Sequence, residues 1–513
     1  MNLKMKSKPK SKLRWKDVKW ALVRKRVFRN QMRIYNASLR NQTKKVLYLQ
    51  NKVINSYDAK LLAVYKVTTE NRGKRTPGVD KRVANTHEEK ITMVKNLKLD
   101  GKASPIRRVW IDKPGKEEKR PLGIPTIWDR AKQTLAVLAL EPQWDQRKFE
   151  PNSYGFRPGR RAQDAAEAIF IHLRVQTNQD GKYVLDADIA GCFDTIDHDY
   201  LLKQLQTLPG IKRQVHAWLK SGIMEGFEFK KETVVYENKG TPQGGPLSPL
   251  LSNIALHGLE NHLKQWVENQ PLKHIGLSDR QSKRKSLGVV RYADDFVVLH
   301  KDWNVIHDAK TALELWLAKT SKLSLKAEKT HIVHSKQGFS FLGWRFIHLK
   351  RNQKFYAHIY PSRKALKQIS LRIKQVIQRN RASSAYILIQ RLSPVIVGWC
   401  NYHKHNECAK TFNKLKHIIW LKLRHWVFRP GRNQSRTKLK EKFFPSGKPR
   451  FMTIMAKSTK TIIGFSLAQK KGPKELCART SYRNPLGYII KNTLKYAVTS
   501  RLMMVTTFIG VNA

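Results

Sequence analysis

The sequence predicts an α+β protein, with basic helices at its start, mixed helices and strands in its middle and basic helices again towards its end. Two observations lead to this prediction. Before residue 66 and again between residues 366 and 423, apolar side chains recur every three to four positions, as on amphipathic helices. Between these segments, short runs alternate apolar with polar residues or are apolar throughout, as in half-buried and buried strands.

The net charge points to a polyanionic partner. The chain of 513 residues carries 100 Lys and Arg residues against 38 Asp and Glu residues, which gives a formal charge of +62. Charge of this size repels itself unless a polyanion neutralises it, so nucleic acid is the first candidate partner. Because the sequence has no run of about 18 apolar residues and no lipidation motif, we expect no membrane attachment.

The cysteines and the N-terminal segment indicate a reducing compartment. The four cysteines form no Cys-x-x-Cys pair, and no apolar secretory segment follows Met1, so we expect a protein that is not secreted. The first fifty residues are basic and contain Asp17 as their only acid, which fits either a transit peptide or a segment that faces nucleic acid. The second interpretation is favoured because the basic character continues far beyond residue 50.

The predicted elements follow one another in a simple order. Helical spacing continues to about residue 65, and residues 71–80 then form a turn rich in Gly and Pro, which predicts a boundary near residue 70. Residues 107–115 and 120–125 read as the two strands of a hairpin with Lys and Arg at its tip. A helix follows Asp129, and Pro142 is expected to end it. The polar, basic segment 272–286 reads as a surface insertion.

Acidic residues stand at the ends of two further predicted strands. Residues 182–189 (KYVLDADI) read as a buried strand, and residues 287–299 (LGVVRYADDFVVL) read as strand, tight turn and strand. Adjacent carboxylates repel unless a cation holds them. Oxygen ligands from two strands suit Mg²⁺, and two such ions about 3.5–4 Å apart can activate a 3′-hydroxyl and stabilise a leaving pyrophosphate. For a bare pair of aspartates, however, a solvated acidic turn is the commoner explanation.

Three motifs around these acids make the chemical interpretation specific. Residues 188–194 read DIAGCFD, residues 240–248 read GTPQGGPLS and residues 292–295 read YADD, and in this order they resemble the palm motifs of reverse transcriptases. Further matches are TPGVD at 76–80, RPLGIP at 120–125, YGFRP at 154–158, KT at 329–330, FLGW at 341–344 and GWCNY at 398–402. Together they resemble a group II intron-encoded reverse transcriptase/maturase, over about residues 15–444.

The resemblance implies the fold of a right-hand polymerase. Residues 1–70 would be a basic helical N-terminal region, 71–350 the fingers and palm, 351–442 an all-helical thumb or maturase (X) domain, and 443–513 a basic tail. The thumb helices would bind intron RNA and the primer–template backbone, although solvated helix faces would show the same charge pattern. Ser393 stands where relatives commonly carry Asn, and residues 426–443 diverge, so the choice of RNA partner stays open.

By position in the motifs, the resemblance assigns catalytic roles to three acids. Asp188 and Asp294 would be the metal-binding catalytic carboxylates, and Asp295 would be the accessory acid beside them, with two Mg²⁺ ions as the cofactor. Phe193 resembles the aromatic gate that collides with a ribose 2′-hydroxyl and so favours deoxynucleotides. An ordinary core phenylalanine is the alternative for this position.

The same resemblance assigns substrate contacts to four residues. Lys113 and Arg120 on the predicted fingers hairpin would hold the incoming triphosphate, unless they are merely solvated charges. Gln243 and Gly244 lie where the family brings its backbone close to the nascent base pair, because glycine lacks a Cβ. A structural turn before the helix at Ser248 is the alternative.

The implied function is that of an RNA-directed DNA polymerase that also binds its group II intron RNA, promotes splicing and contributes to intron mobility. Its partners would be that RNA, an RNA template with a DNA primer, and deoxynucleoside triphosphates, in the bacterial cytoplasm or in an organelle. One alternative is a splicing-only maturase with a vestigial polymerase site. Another is a reverse transcriptase of a retron or defence lineage, against which residues 76–80 and 398–399 argue.

The sequence predicts neither zinc nor a DNA endonuclease. Two Cys and two His fall within residues 400–408, but their spacing differs from that of common closed zinc sites. Many relatives end in a zinc-associated HNH nuclease, which needs paired cysteines and several histidines. No His follows His425 and Cys477 is the only Cys of the tail, so no such nuclease is predicted. The basic residues 443–513 are interpreted as a DNA-binding remnant.

Overall fold

The computed structural model describes residues 14–112, 117–174, 181–225, 240, 244–351, 354–429, 435–443, 456–458 and 461–463. The helices, in chain order, are α1 (Trp20–Leu39), α2 (Thr43–Asn55), α3 (Tyr57–Tyr65), α4 (His87–Asn96), α5 (Ile127–Arg147), α6 (Ala162–Arg174), α7 (Cys192–Thr195), α8 (His198–Gln204), α9 (Pro209–Leu219), α10 (Ser248–Ala255), α11 (Leu259–Glu268), α12 (Arg280–Ser286), α13 (Trp303–Thr320), α14 (Arg363–Arg379), α15 (Ala385–His403), α16 (Ala409–Val427) and α17 (Arg436–Phe443). The strands are β1 (Ile106–Asp112), β2 (Lys119–Ile124), β3 (Tyr183–Asp188), β4 (Ile223–Glu225), β5 (Gly288–Tyr292), β6 (Asp295–His300), β7 (His331–His334), β8 (Phe339–Phe341), β9 (Trp344–Arg351), β10 (Lys354–Pro361), β11 (Ala456–Ser458) and β12 (Thr461–Ile463). The α+β prediction is confirmed.

The three N-terminal helices pack against α5. Their buried apolar side chains belong to the same core as those of α5. Polar contacts reinforce the packing: Gln31 Nε2 donates to the Leu138 carbonyl at 3.1 Å, and Gln50 Nε2 donates to Gln143 Oε1 at 2.6 Å. The N-terminal region therefore shares its core with the mixed region. The boundaries proposed at residues 70, 350 and 442 stay predictions.

Helix α5 is longer than the sequence indicated. Pro142 was expected to end it, but the helix continues to Arg147 with Pro142 inside. A proline removes one helical hydrogen bond, and tertiary packing can outweigh that loss. Here Trp144, in the turn after the proline, is 1% exposed, so the burial of this ring retains the last helical turn.

The predicted fingers hairpin is present. Strands β1 and β2 pair antiparallel with Ile111 opposite Arg120, and β4 adds to β1 in parallel. Segment 272–286 is mostly exposed, as a surface insertion should be, but it contains the short helix α12, whose N-cap is Asp279.

A four-stranded antiparallel sheet in the order β5-β6-β3-β7 carries the acidic motifs. Its two faces lie in different cores because side chains alternate along a strand. On β3, Leu185 and Ala187 join the core that contains α13, whereas Val184 joins the core that contains α6. Burial on both faces fixes the register, since a one-residue slip would exchange the two sets of side chains.

Strands β8, β9 and β10 form a further three-stranded sheet, which is followed by a helical region made by α14, α15 and α16 with its own apolar core. The end of α15 rests on the turn between β8 and β9. The rings of Trp344 and Tyr402 stack at 4.6 Å between centroids, and the Tyr402 hydroxyl donates to the Leu342 carbonyl at 3.0 Å. The FLGW and GWCNY motifs thus meet at this junction. Within the ranges described above, no helix is both long and apolar enough to cross a bilayer.

Candidate active site

The catalytic acids predicted from the sequence come together at one end of the four-stranded sheet. Asp188, the last residue of β3, lies directly opposite Asp295, the first residue of β6. The Asp188 residue is 7% exposed. Each acid is positioned by a strand that is buried on both faces, so the backbone fixes their separation.

Asp294 lies in the tight turn between β5 and β6. The turn is closed by the pair Tyr292–Asp295, and Ala293 adopts a left-handed conformation with φ of 59°. A non-glycine residue pays a steric penalty in this region, so surrounding contacts must hold it there. One of these contacts is the backbone of Gly155, where a Cβ atom would stand 2.2 Å from the Ala293 nitrogen. The YGFRP motif therefore packs directly beneath the YADD turn.

The buried side chain of Arg291 holds this turn in place. Its Nη1 donates to the Ala293 carbonyl at 3.2 Å and to Asn253 Oδ1 at 3.1 Å, and its Nη2 donates to Ser153 Oγ at 2.7 Å. Asn253 in turn donates to the Gly155 carbonyl at 2.8 Å. Arg291 stands directly before the YADD motif, but it was not predicted as a site residue from the sequence.

Burial and the charge of Asp188 raise the pKa of three neighbouring carboxyl groups. Burial, followed by the charges of Asp188 and Asp294, raises the pKa of Asp295 to about 7. Burial is also the main cause that raises the pKa of Asp294, and the charge of Asp188 adds to it. Burial and the charge of Asp188 raise the pKa of Asp186 to about 6. Such an excess of negative charge favours the binding of a cation.

Lys329, from the KT motif, reaches this acidic cluster. Its ammonium group donates to Asp188 Oδ2, and this hydrogen bond is the main cause that raises the pKa of Lys329. The neighbouring Lys326 amide donates to the Asp188 carbonyl at 2.8 Å, so the segment after α13 is anchored to the end of β3. The KT motif is part of the family resemblance, which implies no role for it.

The three aspartates do not form a finished metal centre in this structure. Among the residues described, no group of three or more His, Cys, Asp or Glu side chains converges as the ligands of one ion. The donor set nevertheless suits Mg²⁺ in its chemistry, since all three side chains offer hard oxygen ligands and carry an excess of negative charge.

Cys192, Cys400 and Cys408 are free thiols.

Phe193 lies in the short helix that follows β3. The helix begins after Gly191, whose φ is 51°, and Cys192 turns inwards so that its Sγ lies 3.6 Å from Ser252 Oγ. Phe193 is partly exposed, and its ring meets that of Phe156 edge-on at 6.4 Å between centroids. Phe193 thus contacts the YGFRP motif, whose Gly155 packs against the YADD turn. Phe156 belongs to the YGFRP motif but was not predicted as a site residue from the sequence.

Gly244 brings its backbone close to the fingers strand. Its φ is 125°, and a Cβ atom would stand 2.4 Å from the Gly123 carbonyl oxygen on β2. At the start of the same motif, the Gly240 amide donates to the Ile196 carbonyl at 2.8 Å, and Gly240 accepts a 2.6 Å hydrogen bond from His198 Nε2. Gln243 lies outside the described residues.

Arg120 is exposed on β2, and its positive charge opposes part of the rise in the pKa of Asp294. The guanidinium therefore acts electrostatically on Asp294. Lys113, predicted beside it at the hairpin tip, lies outside the described residues.

Segments of the chain match three families in the expected places. Residues 111–346 match the family described as reverse transcriptase (RNA-dependent DNA polymerase), and residues 15–97 match the N-terminal domain of reverse transcriptase. Residues 366–444 match the maturase-specific domain of group II introns.

Whole proteins with similar sequences include bacterial and euglenoid members. The chain is 28% identical over 439 residues to the group II intron-encoded protein LtrA of Lactococcus lactis subsp. cremoris, which covers 70% of each chain. It is 29% identical over 306 residues to protein YkfC of Escherichia coli, covering 55% of this chain and 78% of that protein. It is 25% identical over 392 residues to maturase-like protein 1 of Euglena gracilis, covering 74% and 75%. The motifs, the site geometry and these matches agree, and the chain belongs to the group II intron-encoded reverse transcriptases/maturases.

Proposed function

We propose that this protein is an RNA-directed DNA polymerase that also binds its group II intron RNA, promotes its splicing and contributes to intron mobility. The observation that carries the polymerase activity is the register that sets Asp188 opposite Asp295, with Asp294 in the adjoining turn. The splicing activity rests on the match of residues 366–444 to the maturase-specific domain. The substrates would be an RNA template with a DNA primer and deoxynucleoside triphosphates.

In this proposal, Asp188, Asp294 and Asp295 hold two Mg²⁺ ions. When bound, the ions would supply charge stabilisation at the attacking 3′-hydroxyl and at the leaving pyrophosphate. The protein's contribution is to hold the carboxylates in place: β3 and β6 position two of them, and the turn held by Arg291 positions the third. Lys329 balances part of their negative charge through its ion pair with Asp188.

The remaining site residues are proposed to hold the nucleotide. Arg120 would bind the triphosphate, because its guanidinium suits bidentate contact with phosphate oxygens and its charge already acts on Asp294. Lys113 is proposed beside it on the sequence motif. Phe193 would exclude the ribose 2′-hydroxyl. Gln243 and Gly244 would approach the nascent base pair, and the glycine allows this by its lack of a Cβ.

Intron RNA would be bound by the basic helical region that begins with α14. This helix contains no acid, and its exposed surface carries several Lys and Arg residues. Phosphate contacts by such side chains supply much of the affinity for RNA. Since relatives come from bacteria and from Euglena, we propose the bacterial cytoplasm or an organelle as the location.

The test is primer extension on an RNA template with Mg²⁺ and deoxynucleotides. Wild type and Asp308→Asn, a control that changes an exposed aspartate of α13, should extend the primer, whereas Asp294→Asn should not. Splicing of a group II intron RNA should survive Asp294→Asn, because RNA binding does not use that carboxylate. Absence of extension by wild type, in a preparation that still binds and splices intron RNA, would favour the splicing-only maturase.

A further inference from the structure

Phe156 combines a strained backbone with an exposed aromatic ring at the edge of the active site. Its φ is 57°, in the left-handed region that non-glycine residues rarely adopt. The residue is 51% exposed, so burial of its ring does not offset the steric cost of this backbone conformation. A strained residue that persists beside a catalytic centre indicates a functional constraint.

The residues on both sides of Phe156 are fixed by contacts that do not involve its ring. On one side, Gly155 packs against the YADD turn, and its carbonyl accepts a hydrogen bond from Asn253. On the other side, the buried Arg157 guanidinium donates to Asp145 Oδ1 at 2.7 Å and to the Glu150 carbonyl at 2.9 Å. The backbone therefore presents the Phe156 ring at a set position.

That position faces the proposed sugar gate. The rings of Phe156 and Phe193 are 6.4 Å apart between centroids, with 71° between their planes. This is the edge-to-face arrangement that aromatic rings prefer. Phe193 lies in a helix of only four residues that follows a left-handed glycine, so its ring depends on neighbouring side chains for a fixed orientation.

We propose that Phe156 is a positioning residue for sugar discrimination: it supports the Phe193 ring, which then excludes nucleotides that carry a 2′-hydroxyl. The inference rests on the proposed polymerase function and on the proposed role of Phe193. Phe156 acts through Phe193 and takes no part in the phosphoryl transfer. Its loss lets the gate ring rotate aside and admits ribonucleotides.

The test compares variants that separate the ring from the backbone conformation. Phe156→Gly removes the ring and is compatible with positive φ, so the fold is retained. Phe156→Leu keeps a side chain at positive φ but lacks the ring, and Phe156→Tyr keeps the ring. The measured quantity is the ratio of kcat/KM for a deoxynucleotide to that for the matching ribonucleotide in primer extension. A second measurement is the thermal unfolding midpoint of each variant.

We expect the ratio to fall by about threefold to tenfold in Phe156→Gly and Phe156→Leu, the range that one ring contact supports, and to be unchanged in Phe156→Tyr. The unfolding midpoint of Phe156→Gly should not fall. Asn41→Gly, at another left-handed position on the protein surface, should leave the ratio unchanged.

The possible outcomes separate the role of Phe156 from the proposed polymerase function and from the proposed role of Phe193. Absence of extension by wild type would contradict the proposed polymerase function. An unchanged ratio in Phe193→Ala would contradict the gate role of Phe193. A lowered ratio in Phe193→Ala together with a wild-type ratio in Phe156→Gly would overturn the role of Phe156 alone. A lower unfolding midpoint of Phe156→Gly with an unchanged ratio would show that Phe156 serves the fold only.

Discussion

The backbone of Gly155 lies so close to the turn residue Ala293 that a Cβ on Gly155 would stand 2.2 Å from the Ala293 nitrogen. The three nearest atoms are the Ala293 nitrogen, the Tyr292 carbonyl carbon and the Ala293 Cβ, which cannot move aside as the end of a flexible side chain could. The YGFRP motif, whose role the sequence did not show, is thus a support on which the YADD turn rests.

Gly155→Ala should therefore displace the turn that carries Asp294. A displacement of about 1 Å in a catalytic group lowers turnover by about a hundredfold, and we expect a loss of that order in primer extension. Gly210→Ala is the control, because a Cβ there meets no heavy atom within 4 Å among the described residues apart from its chain neighbours and the backbone of its own helix. Full activity in Gly155→Ala would show that the turn does not depend on this contact.

The stability of the junction between palm and thumb should depend on pH through His403. The ring contacts those of Trp344, Trp399 and Tyr402, its Nδ1 is buried without a hydrogen-bond partner among the described residues, and burial lowers its pKa to about 4. As the pH falls from about 6.5 to about 4, the unfolded chain takes up a proton that the folded chain does not. The free energy of unfolding should therefore fall over this range, by up to about 3 kcal/mol from this group.

His403→Phe should remove this contribution. Urea unfolding at a series of pH values checks it: relative to wild type, the variant should gain stability progressively below pH 6.5, with a constant difference above pH 7. His425→Phe, which changes an exposed histidine of α16, should follow the wild-type curve. A wild-type pH dependence in His403→Phe would contradict the assignment to this residue.

RNA binding by the thumb should depend on Lys367 and Lys374, which are exposed on α14. They lie seven residues apart and therefore on one face of the helix. Replacing both with Gln should weaken binding to an RNA–DNA primer–template and lower the slope of log affinity against log salt by about 1.5, because each phosphate contact contributes about 0.7–0.9.

The control replaces Lys310, which pairs with Glu314, and the exposed Lys319 with Gln, on helix α13. We expect this pair to leave the salt slope unchanged. Equal slopes for wild type and the α14 variant would show that this face does not contact phosphates.

The sequence predicted the parts of the site that depend on local pattern. The position of the acids at strand ends could be predicted, because alternation and apolar runs in the sequence identify β3, β5 and β6. The turn that carries Asp294 could be recognised from the two short strands on either side of it. The fingers hairpin was predicted for the same reason. Helix α5 extends past Pro142 because the burial of Trp144, a tertiary effect, outweighs the local signal.

The long-range supports of the site could not be predicted from one sequence. Asp188, the partner of Lys329, is 141 residues away in the chain. The contacting rings of Phe156 and Phe193 belong to different motifs. A pairing of this kind depends on how separate elements pack, and no spacing rule within a single element encodes it. The proposed contacts of Lys113 and Gln243 stay predictions.

Arg291 connects three segments that are distant in the chain, since its partners Asn253 and Ser153 lie 38 and 138 residues away. A change at one of these positions alters the fit of the other two, so the three segments should evolve together. A chimera that takes residues 152–158 from a distant relative will need that relative's residues at positions 253 and 291 as well.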